Sequence, residues 1–178
     1  MPVIVDETYY EFCGKTVIPL RNRYDNLIVL RSFSKWAGIA GLRVGFGVME
    51  SNLANVLLNM KPPYNMNIAA EIAVKASLRD KKLLDKRIES TKSERDRMYT
   101  LMQSIPNIEP CPSEANFVLC KVPTGCSQKI LEYLAKRGIF VRFFNTPILK
   151  NYVRISVGLP HHTDALINAL KSAVKECV

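Results

Sequence analysis

The sequence lacks the features that mark several common classes of protein. It has no apolar run near the ~20 residues that a membrane-spanning helix needs, and no basic or Arg/Ser-rich leader opens the chain. Nucleotide-binding fingerprints of the G-x-G-x-x-G or G-x-x-x-x-G-K-[ST] type are also missing. We therefore expect no membrane association and a cytoplasmic location, or a plastid one if a transit segment belongs upstream.

Patterns typical of metal sites and disulfide frameworks are sparse as well. The five cysteines are scattered without a C-x-x-C pair, and the two histidines, His161 and His162, stand side by side before a helical pattern. An odd number of scattered cysteines favours reduced thiols in a cytosol-like compartment. The histidine pair is more typical of a helix start than of a metal site. We expect reduced cysteines and no bound metal.

The charge is unbalanced, but its pattern does not indicate nucleic-acid binding. Lysine and arginine number 25 against 16 aspartates and glutamates, which gives a net charge of +9. The basic residues are spread along the chain, and no basic run is interleaved with aromatic residues. This distribution predicts a solvated surface that favours small anionic ligands.

Three apolar runs predict the first sheet: Pro2–Glu7, Asn26–Phe33 and Val44–Met49. Their apolar residues are continuous rather than alternating, which is typical of parallel strands that helices cover on both faces. Helical spacing then predicts a helix ending near Met60, another starting at Asn67 and a long one over 81–104. The first part of the chain therefore has an α/β pattern.

A second set of strands and helices follows Pro106. The predicted elements are strands at 116–122, 139–144 and 152–157 and helices at 127–137 and 162–177. Gly138 suits the position just past a helix end, and Thr163 with Asp164 suit the start of the last helix. We predict a large-domain part at 1–80, a connecting helix at 81–104 and a small α/β domain at 105–178.

One loop places a lysine among groups that bind anions. Between the second and third strands the chain reads S-F-S-K-W-A-G-I-A-G-L-R-V-G, so that Lys35 lies near Ser32, Ser34 and Arg43 in a largely apolar segment. A desolvated lysine can act as an amine nucleophile, while hydroxyl and guanidinium groups bind phosphate. Taken alone, the same loop is more typical of an ordinary serine-containing turn with a structural or solvent-exposed lysine.

A second segment ends the first strand with an acid. In V-I-V-D-E-T-Y-Y-E-F, Asp6 closes the apolar run and Tyr9 follows three positions later. Ligands of open α/β sheets bind outside the carboxyl ends of the strands, where both side chains would lie. A buried carboxylate there needs a partner, such as a protonated ring nitrogen of a cofactor. A turn aspartate and a core tyrosine are the alternative interpretation.

Together these segments closely resemble the fold type I pyridoxal-phosphate aminotransferases. The resemblance lies in the motif D-E-x-Y-x-x-F, followed by S-F-S-K-x-x-G-x-x-G-L-R-x-G. Within that family the chain is most similar to the histidinol-phosphate aminotransferases, in the segments K-P-P-Y-N-M-N, S-E-A-N-F-V-L-C and Y-V-R-I-S-V-G. The resemblance implies an aspartate-aminotransferase-like α/β fold, here a partial large domain with a mainly parallel sheet plus a small C-terminal α/β domain. It also implies pyridoxal 5'-phosphate as cofactor and a homodimer.

The resemblance assigns roles to matching positions. Lys35 would bond the cofactor and later move the substrate proton, Asp6 would pair with the pyridinium nitrogen, and Tyr9 would bond the phenolic oxygen. The cofactor phosphate would be held by Ser32, Ser34 and Arg43.

The same resemblance implies residues for the substrates and for a second subunit. Arg154 would take the α-carboxylate of glutamate or 2-oxoglutarate, and Arg142 would take the phosphate of histidinol phosphate. A surface arginine is the alternative for Arg142. Tyr64 and Asn65 would reach across a two-fold interface.

The chain departs from the family in length. Members run to about twice this length, and the part that precedes the strand with Asp6 has no counterpart here. We therefore expect a C-terminal half, either naturally short or a fragment, that is a poor enzyme alone. Two alternatives remain open: another aminotransferase, for example of aromatic amino acids, and a non-catalytic chain that binds a full-length subunit.

Overall fold

The structure is a computed structural model that describes residues 1–177. These residues form two compact units, Met1–Ile88 and a second from Glu89 onward, and each unit has its own sheet. No helix among the described residues combines the length and the apolar character that crossing a membrane requires. The boundary between the two units, at residues 88 and 89, falls inside the long helix that the sequence predicts as a connection. The assignment of three parts, 1–80, 81–104 and 105–178, stays a prediction.

The sheet of the first unit has the order β1-β2-β3. Strands β1 (Val3–Asp6) and β2 (Leu27–Ser32) are parallel, as expected, but β3 (Gly45–Val48) is antiparallel to β2. A parallel neighbour needs a crossover, usually a helix, whereas the β2–β3 connection contains only the 3₁₀ turn Ala40–Leu42. The expectation of a third parallel strand is therefore wrong, and the sheet is mixed.

The predicted burial of these strands also holds only in part. Residues Leu27–Val29 of β2 are buried, but Val3, Ile4 and Phe46 of the edge strands are 47%, 62% and 44% exposed. A continuous apolar run predicts that both faces of a strand are buried, but it does not identify the segment that packs on them. The described residues leave these faces of β1 and β3 open.

The helices of the first unit confirm the periodicity read from the sequence. After the short α1 (Tyr10–Cys13) come α2 (Ser51–Met60) and α3 (Ile68–Arg79). The Asn67 side chain caps α3 by accepting the Ala70 N–H at 2.8 Å, as suits an asparagine at this position. Ala70 also joins a small core with Phe33 and Val44, against which part of the lysine loop packs.

The second unit is an antiparallel sheet packed with helices around one core. Helix α4 (Lys81–Gln103) runs into it, followed by β4 (Glu109–Pro110), β5 (Phe117–Lys121), α5 (Ser127–Ala135), β6 (Arg142–Phe143), β7 (Tyr152–Ser156) and α6 (Pro160–Cys177). The sheet order is β4-β5-β7-β6. Its centre contains the fully buried Met98, Met102, Val118, Cys120, Ile130, Leu134, Val153 and Leu170.

The ends of these helices test two sequence predictions. Helix α5 ends at Ala135, two residues before the predicted end, but Gly138 has φ +73° and the Ile139 N–H donates to the Leu134 carbonyl at 3.0 Å, so the glycine is confirmed as part of the turn that closes the helix. Helix α6 starts earlier than predicted, at Pro160, because the Leu159 carbonyl already accepts the N–H groups of His162 and Thr163. Thr163 and Asp164 therefore lie within the helix, and their prediction as its caps is wrong.

The cysteines differ from the expectation of five reduced thiols. Cys126, just before α5, forms a disulfide with Cys177 at the end of α6, although 51 residues separate them in sequence. Their Cα atoms lie 5.9 Å apart because α5 and α6 pack against each other. Cys13, Cys111 and Cys120 are free. Sequence spacing gives no sign of this proximity, which only the helix packing creates.

An arginine joins α4 to α6 in the second unit. The Arg97 guanidinium donates to Glu94 at 2.9 Å, to Asp164 at 2.9 Å and to the Pro160 carbonyl at 2.9 Å. The hydrogen bonds from Arg97 lower the pKa of Glu94 below its ordinary value, although burial of this carboxylate opposes them. The start of α6 is therefore fixed to α4 by charge-assisted hydrogen bonds.

We expect the Cys126–Cys177 bond to stabilise the folded chain by about 2–4 kcal/mol, since a cross-link restricts the unfolded chain. A phosphine reductant should lower the unfolding midpoint of the wild type in urea. C126S should show the lower urea midpoint both with and without the reductant. In the control C111S the reductant should lower the midpoint as it does in the wild type. An equal midpoint for C126S and the wild type would contradict the stabilising role.

The Glu94 carboxylate should make stability depend on acid pH. Its pKa is lower in the folded chain than its ordinary value of 4.5, so its contribution is complete above that value and disappears as the pH falls through the folded pKa. The difference in unfolding free energy between the wild type and E94Q should be constant near neutral pH and shrink below pH 4.5. Urea titrations across this range measure it, and a difference independent of pH would exclude the mechanism.

Candidate active site

The first unit brings the predicted cofactor residues to one edge of its sheet. Because β1 and β2 are parallel, Asp6 and Ser32 end their strands at the same edge. Gly45, the first residue of β3, pairs with Ser32, so Arg43 also lies near this edge. The carboxyl edge of a parallel pair is where open α/β sheets bind ligands.

Asp6 is exposed at this edge, which corrects the expectation of a buried carboxylate. Its Oδ1 accepts hydrogen bonds from the Thr8 N–H at 2.9 Å and from the Thr8 hydroxyl at 2.5 Å. This local turn leaves the carboxylate open to a ligand. The buried acid is instead its neighbour Glu7, which is 8% exposed.

Tyr9 follows at the same strand end. It is half-buried and stands immediately before α1, where its carbonyl accepts the Phe12 and Cys13 N–H groups at 3.0 and 3.1 Å. These bonds hold its backbone next to the turn that carries Asp6. A phenol in this position can donate to or accept from a bound ligand.

The two serines of the lysine loop are in direct contact. The hydroxyl oxygens of Ser32 and Ser34 lie 2.7 Å apart, and the Ser34 N–H donates to the Ser32 hydroxyl at 3.0 Å. Both residues are half-buried. The structure thus gathers two hydroxyl groups at the end of β2, as a small anion requires.

Lys35 is exposed, although its neighbours are packed. The rings of Phe33 and Trp36 lie 5.3 Å apart between centroids and belong to the small core of this unit. The loop is therefore anchored on both sides of the lysine, while Lys35 itself is exposed. The expectation that Lys35 is desolvated by apolar surroundings is wrong for this chain, because only its neighbours are covered.

Arg43 has a backbone conformation that few non-glycine residues adopt. Its φ is +55°, at the end of the 3₁₀ turn, and its guanidinium donates to the Ala40 carbonyl at 2.9 Å. The contact turns the side chain back onto its own loop. Non-glycine residues with positive φ occur more often at binding and catalytic sites than elsewhere.

In the second unit the two predicted substrate arginines lie on neighbouring strands. Arg142 of β6 and Arg154 of β7 are directly opposite each other in the antiparallel register, so their side chains lie on the same face. Arg154 Nε is buried without a hydrogen-bond partner, and its guanidinium lies 5.1 Å from the centre of the Phe117 ring. Arg142 is exposed, with its guanidinium 5.9 Å from the ring of Phe144.

The predicted interface residues belong to the loop between α2 and α3. Tyr64 is 97% exposed and has φ +63°, and the Asn65 side chain accepts a hydrogen bond from Lys61 at 3.3 Å. The described residues of the first unit therefore leave the Tyr64 side chain uncovered. Among the described residues no group of three or more His, Cys, Asp or Glu side chains could bind a metal ion.

Glu7 and Arg31 are the residues that sequence reasoning missed. They form a buried ion pair at 3.0 Å immediately beside Asp6 and Ser32. The available signal was a charged residue inside each apolar run, where burial demands a partner. The sequence offered no reason to join these two residues across 24 positions.

Comparison with known proteins agrees with the resemblance read from the sequence. A histidinol-phosphate aminotransferase of Dehalococcoides mccartyi is 42% identical over 170 residues, which cover 96% of this chain and 48% of that protein. The chloroplastic histidinol-phosphate aminotransferase 1 of Arabidopsis thaliana is 44% identical over 175 residues, which cover 96% of this chain and 42% of the relative. The chain thus spans about half the length of the curated relatives it matches.

Solved structures show the same fold. The histidinol-phosphate aminotransferase of Clostridium acetobutylicum superposes on 98% of this chain with a TM-score of 0.89 and 25% identity, over 55% of its own length. The enzyme of Sinorhizobium meliloti, solved in complex with pyridoxal-5'-phosphate, covers 100% of this chain with a TM-score of 0.87 and 25% identity, over 50% of its length. Residues 1–174 match the family of class I and II aminotransferases, to which this chain therefore belongs.

Proposed function

We propose that this chain supplies the lysine-bearing part of an enzyme that transfers an amino group between histidinol phosphate and 2-oxoglutarate with the help of pyridoxal 5'-phosphate. The observation that carries the proposal is the single sheet edge where a lysine, a carboxylate and a pair of serine hydroxyls meet. Lys35, Asp6 and the Ser32–Ser34 pair all lie there. The identity to histidinol-phosphate aminotransferases supports the choice of substrate.

The donor set fits this cofactor. Two hydroxyls in contact and the guanidinium of Arg43 suit a phosphate, an exposed amine suits an aldehyde, and an exposed carboxylate suits a protonated ring nitrogen. When bound, pyridoxal 5'-phosphate withdraws electrons from the substrate carbon that loses its proton. Ser32, Ser34 and Arg43 would hold its phosphate, and Lys35, Asp6 and Tyr9 its ring and aldehyde.

The chain's own residues then have distinct tasks. Lys35 Nζ takes the proton from the substrate carbon and returns it, because it is an amine on an anchored but exposed loop. The negative charge of Asp6 keeps a proton on the ring nitrogen. Tyr9 orients the ring by a hydrogen bond from its phenol. The short turn at Thr8 keeps Asp6 and Tyr9 at the strand end.

The arginine pair of the second unit is proposed to recognise the substrates' anionic groups. Two like charges directly opposite on neighbouring strands repel each other, and the buried Nε of Arg154 has no partner. An anion between the guanidinium groups would remove both penalties. Glutamate offers an α-carboxylate, for Arg154, and histidinol phosphate offers a phosphate, for Arg142.

A second copy of the chain is the proposed protein partner. The fully exposed Tyr64, on a loop with positive φ, offers a large aromatic surface that the first unit does not cover. We assign Tyr64 and Asn65 to a two-fold contact. For the compartment we propose the cytoplasm, with a plastid as the alternative because four plant relatives, from Nicotiana and Arabidopsis, are named as chloroplastic enzymes.

Lys35 should be the lysine that pyridoxal 5'-phosphate labels in the complete protein. Borohydride reduction followed by peptide mapping should place the label on the peptide containing Lys35. K35A should abolish both the label and the transfer of the amino group. K61A removes an exposed lysine of the same unit as a control and should label as the wild type does. Label on Lys61 or Lys81 instead would refute the assignment.

The two arginines should affect different substrates. R154K should raise the activation free energy of the half-reaction with glutamate by about 1.5–3 kcal/mol, because lysine cannot form the forked hydrogen bonds of a guanidinium. R142A should instead weaken the half-reaction with histidinol phosphate and leave dephosphorylated histidinol almost unaffected. Single-turnover kinetics of each half-reaction measure these effects. Equal losses for the phosphorylated and dephosphorylated amine in R142A would mean that Arg142 does not bind the phosphate.

A further inference from the structure

We propose that Glu7 and Arg31 are positioning residues, whose buried ion pair fixes the ends of β1 and β2 so that Asp6, Ser32 and Ser34 meet the cofactor in one arrangement. The inference rests on the proposed function and adds two residues to it. Neither residue carries a role in the assignments made above.

The contacts of Glu7 tie three segments together. Its Oε2 accepts from Arg31 Nε at 3.1 Å, from Arg31 Nη2 at 3.0 Å and from the Thr16 hydroxyl at 2.8 Å, while Oε1 accepts the Val17 N–H at 2.7 Å. One carboxylate therefore connects the end of β1, the chain around residue 17 and β2. Both of its oxygens are used by protein groups.

Arg31 is held equally firmly. Its guanidinium lies 3.4 Å above the centre of the Tyr10 ring, and Nη2 also donates to the Thr16 hydroxyl at 3.1 Å. The side chains of Arg31 and Glu7 are only 12% and 6% exposed. A planar guanidinium that donates two hydrogen bonds to one carboxylate oxygen and stacks on a ring has little freedom to move.

The pair borders the site on both strands. Glu7 directly follows Asp6, Arg31 directly precedes Ser32, and the Glu7 N–H donates to the Leu30 carbonyl at 2.8 Å. Alternation along β2 directs the Arg31 and Ser32 side chains to opposite faces. Arg31 therefore acts from the face opposite to that of the hydroxyl pair, through the backbone and not through contact.

The energetics agree with a positioning role. Burial opposes the charge of Glu7, but the hydrogen bonds from Val17, Thr16 and Arg31 outweigh it and lower its pKa. A buried ion pair is a weak source of net stability, because desolvation offsets its attraction. The distinctive contribution of such a pair is a fixed geometry, which a site for a multi-atom cofactor requires.

The test uses E7Q and R31K in the complete protein. E7Q keeps the size of the side chain and an acceptor for the Val17 N–H but removes the negative charge. R31K keeps the positive charge but removes the paired hydrogen bonds to Glu7 and the stacking on Tyr10. The matched control is E71Q, which makes the same change in the exposed Glu71–Lys75 ion pair of α3. Three quantities are measured: affinity for pyridoxal 5'-phosphate, the pH midpoint of its visible absorbance on the protein, and hydrogen exchange.

E7Q and R31K should each bind the cofactor at least ten-fold more weakly than E71Q and shift the absorbance midpoint. Hydrogen exchange should rise in peptides covering 3–17 and 27–35 but not in peptides of the second unit. Cofactor affinity and absorbance equal to the wild type in both variants would overturn the inference. If one variant unfolds, as circular dichroism would show, the other decides.

The two proposals can fail separately. A wild-type protein that does not bind pyridoxal 5'-phosphate at Lys35 would contradict the proposed function. Hydrogen exchange then decides the positioning role alone, since the role predicts looser strand ends whether or not cofactor is present. Unchanged exchange over 27–35 in E7Q would overturn it.

Discussion

The parallel pairing of β1 with β2 is the constraint on which the site in the first unit depends. It brings Asp6 and Ser32, 26 positions apart in the chain, to the same edge of the sheet. An antiparallel pair would have sent them to opposite edges. The antiparallel β3 begins at this same edge, where Gly45 pairs with Ser32, so the loop with Lys35 starts and ends at the carboxyl end of β2. The buried Glu7–Arg31 ion pair joins the ends of β1 and β2 on the face of the sheet opposite to the Ser32 hydroxyl.

The second unit depends on a different register. The antiparallel pairing of β6 with β7 places Arg142 and Arg154 directly opposite each other. Two like charges in this position destabilise a sheet unless an anion lies near them. The buried Nε of Arg154, which has no hydrogen-bond partner among the described residues, supports the anion-binding role that we propose for this pair. The first unit offers an amine, a carboxylate, two hydroxyls and the Arg43 guanidinium, and the second unit offers the Arg142–Arg154 pair.

The apolar faces of β1 and β3 agree with the length comparison. Val3, Ile4 and Phe46 are exposed here, although continuous apolar strands are typical of sheets covered on both faces. The relatives are about twice as long as this chain, with 48% of the Dehalococcoides protein matched. Open faces of this kind are an aggregation hazard when nothing covers them.

The sequence by itself determined the local features. The lysine segment, the acid at the end of β1, the helix patterns and Gly138 depend on spacing, turn chemistry and motif identity, which are written in consecutive residues. They sufficed to reach the family. The role of Tyr9 at the cofactor ring and the two substrate arginines followed only from the resemblance to that family.

Only the tertiary structure decided the long-range features. The direction of β3, the exposure of Asp6 and Lys35, and the bond between Cys126 and Cys177 depend on which distant segments pack together. The sequence placed the buried carboxylate one residue too early, because a strand end alternates between two faces and an apolar run does not say which face is covered. Packing chose Glu7 for burial and left Asp6 free for a ligand.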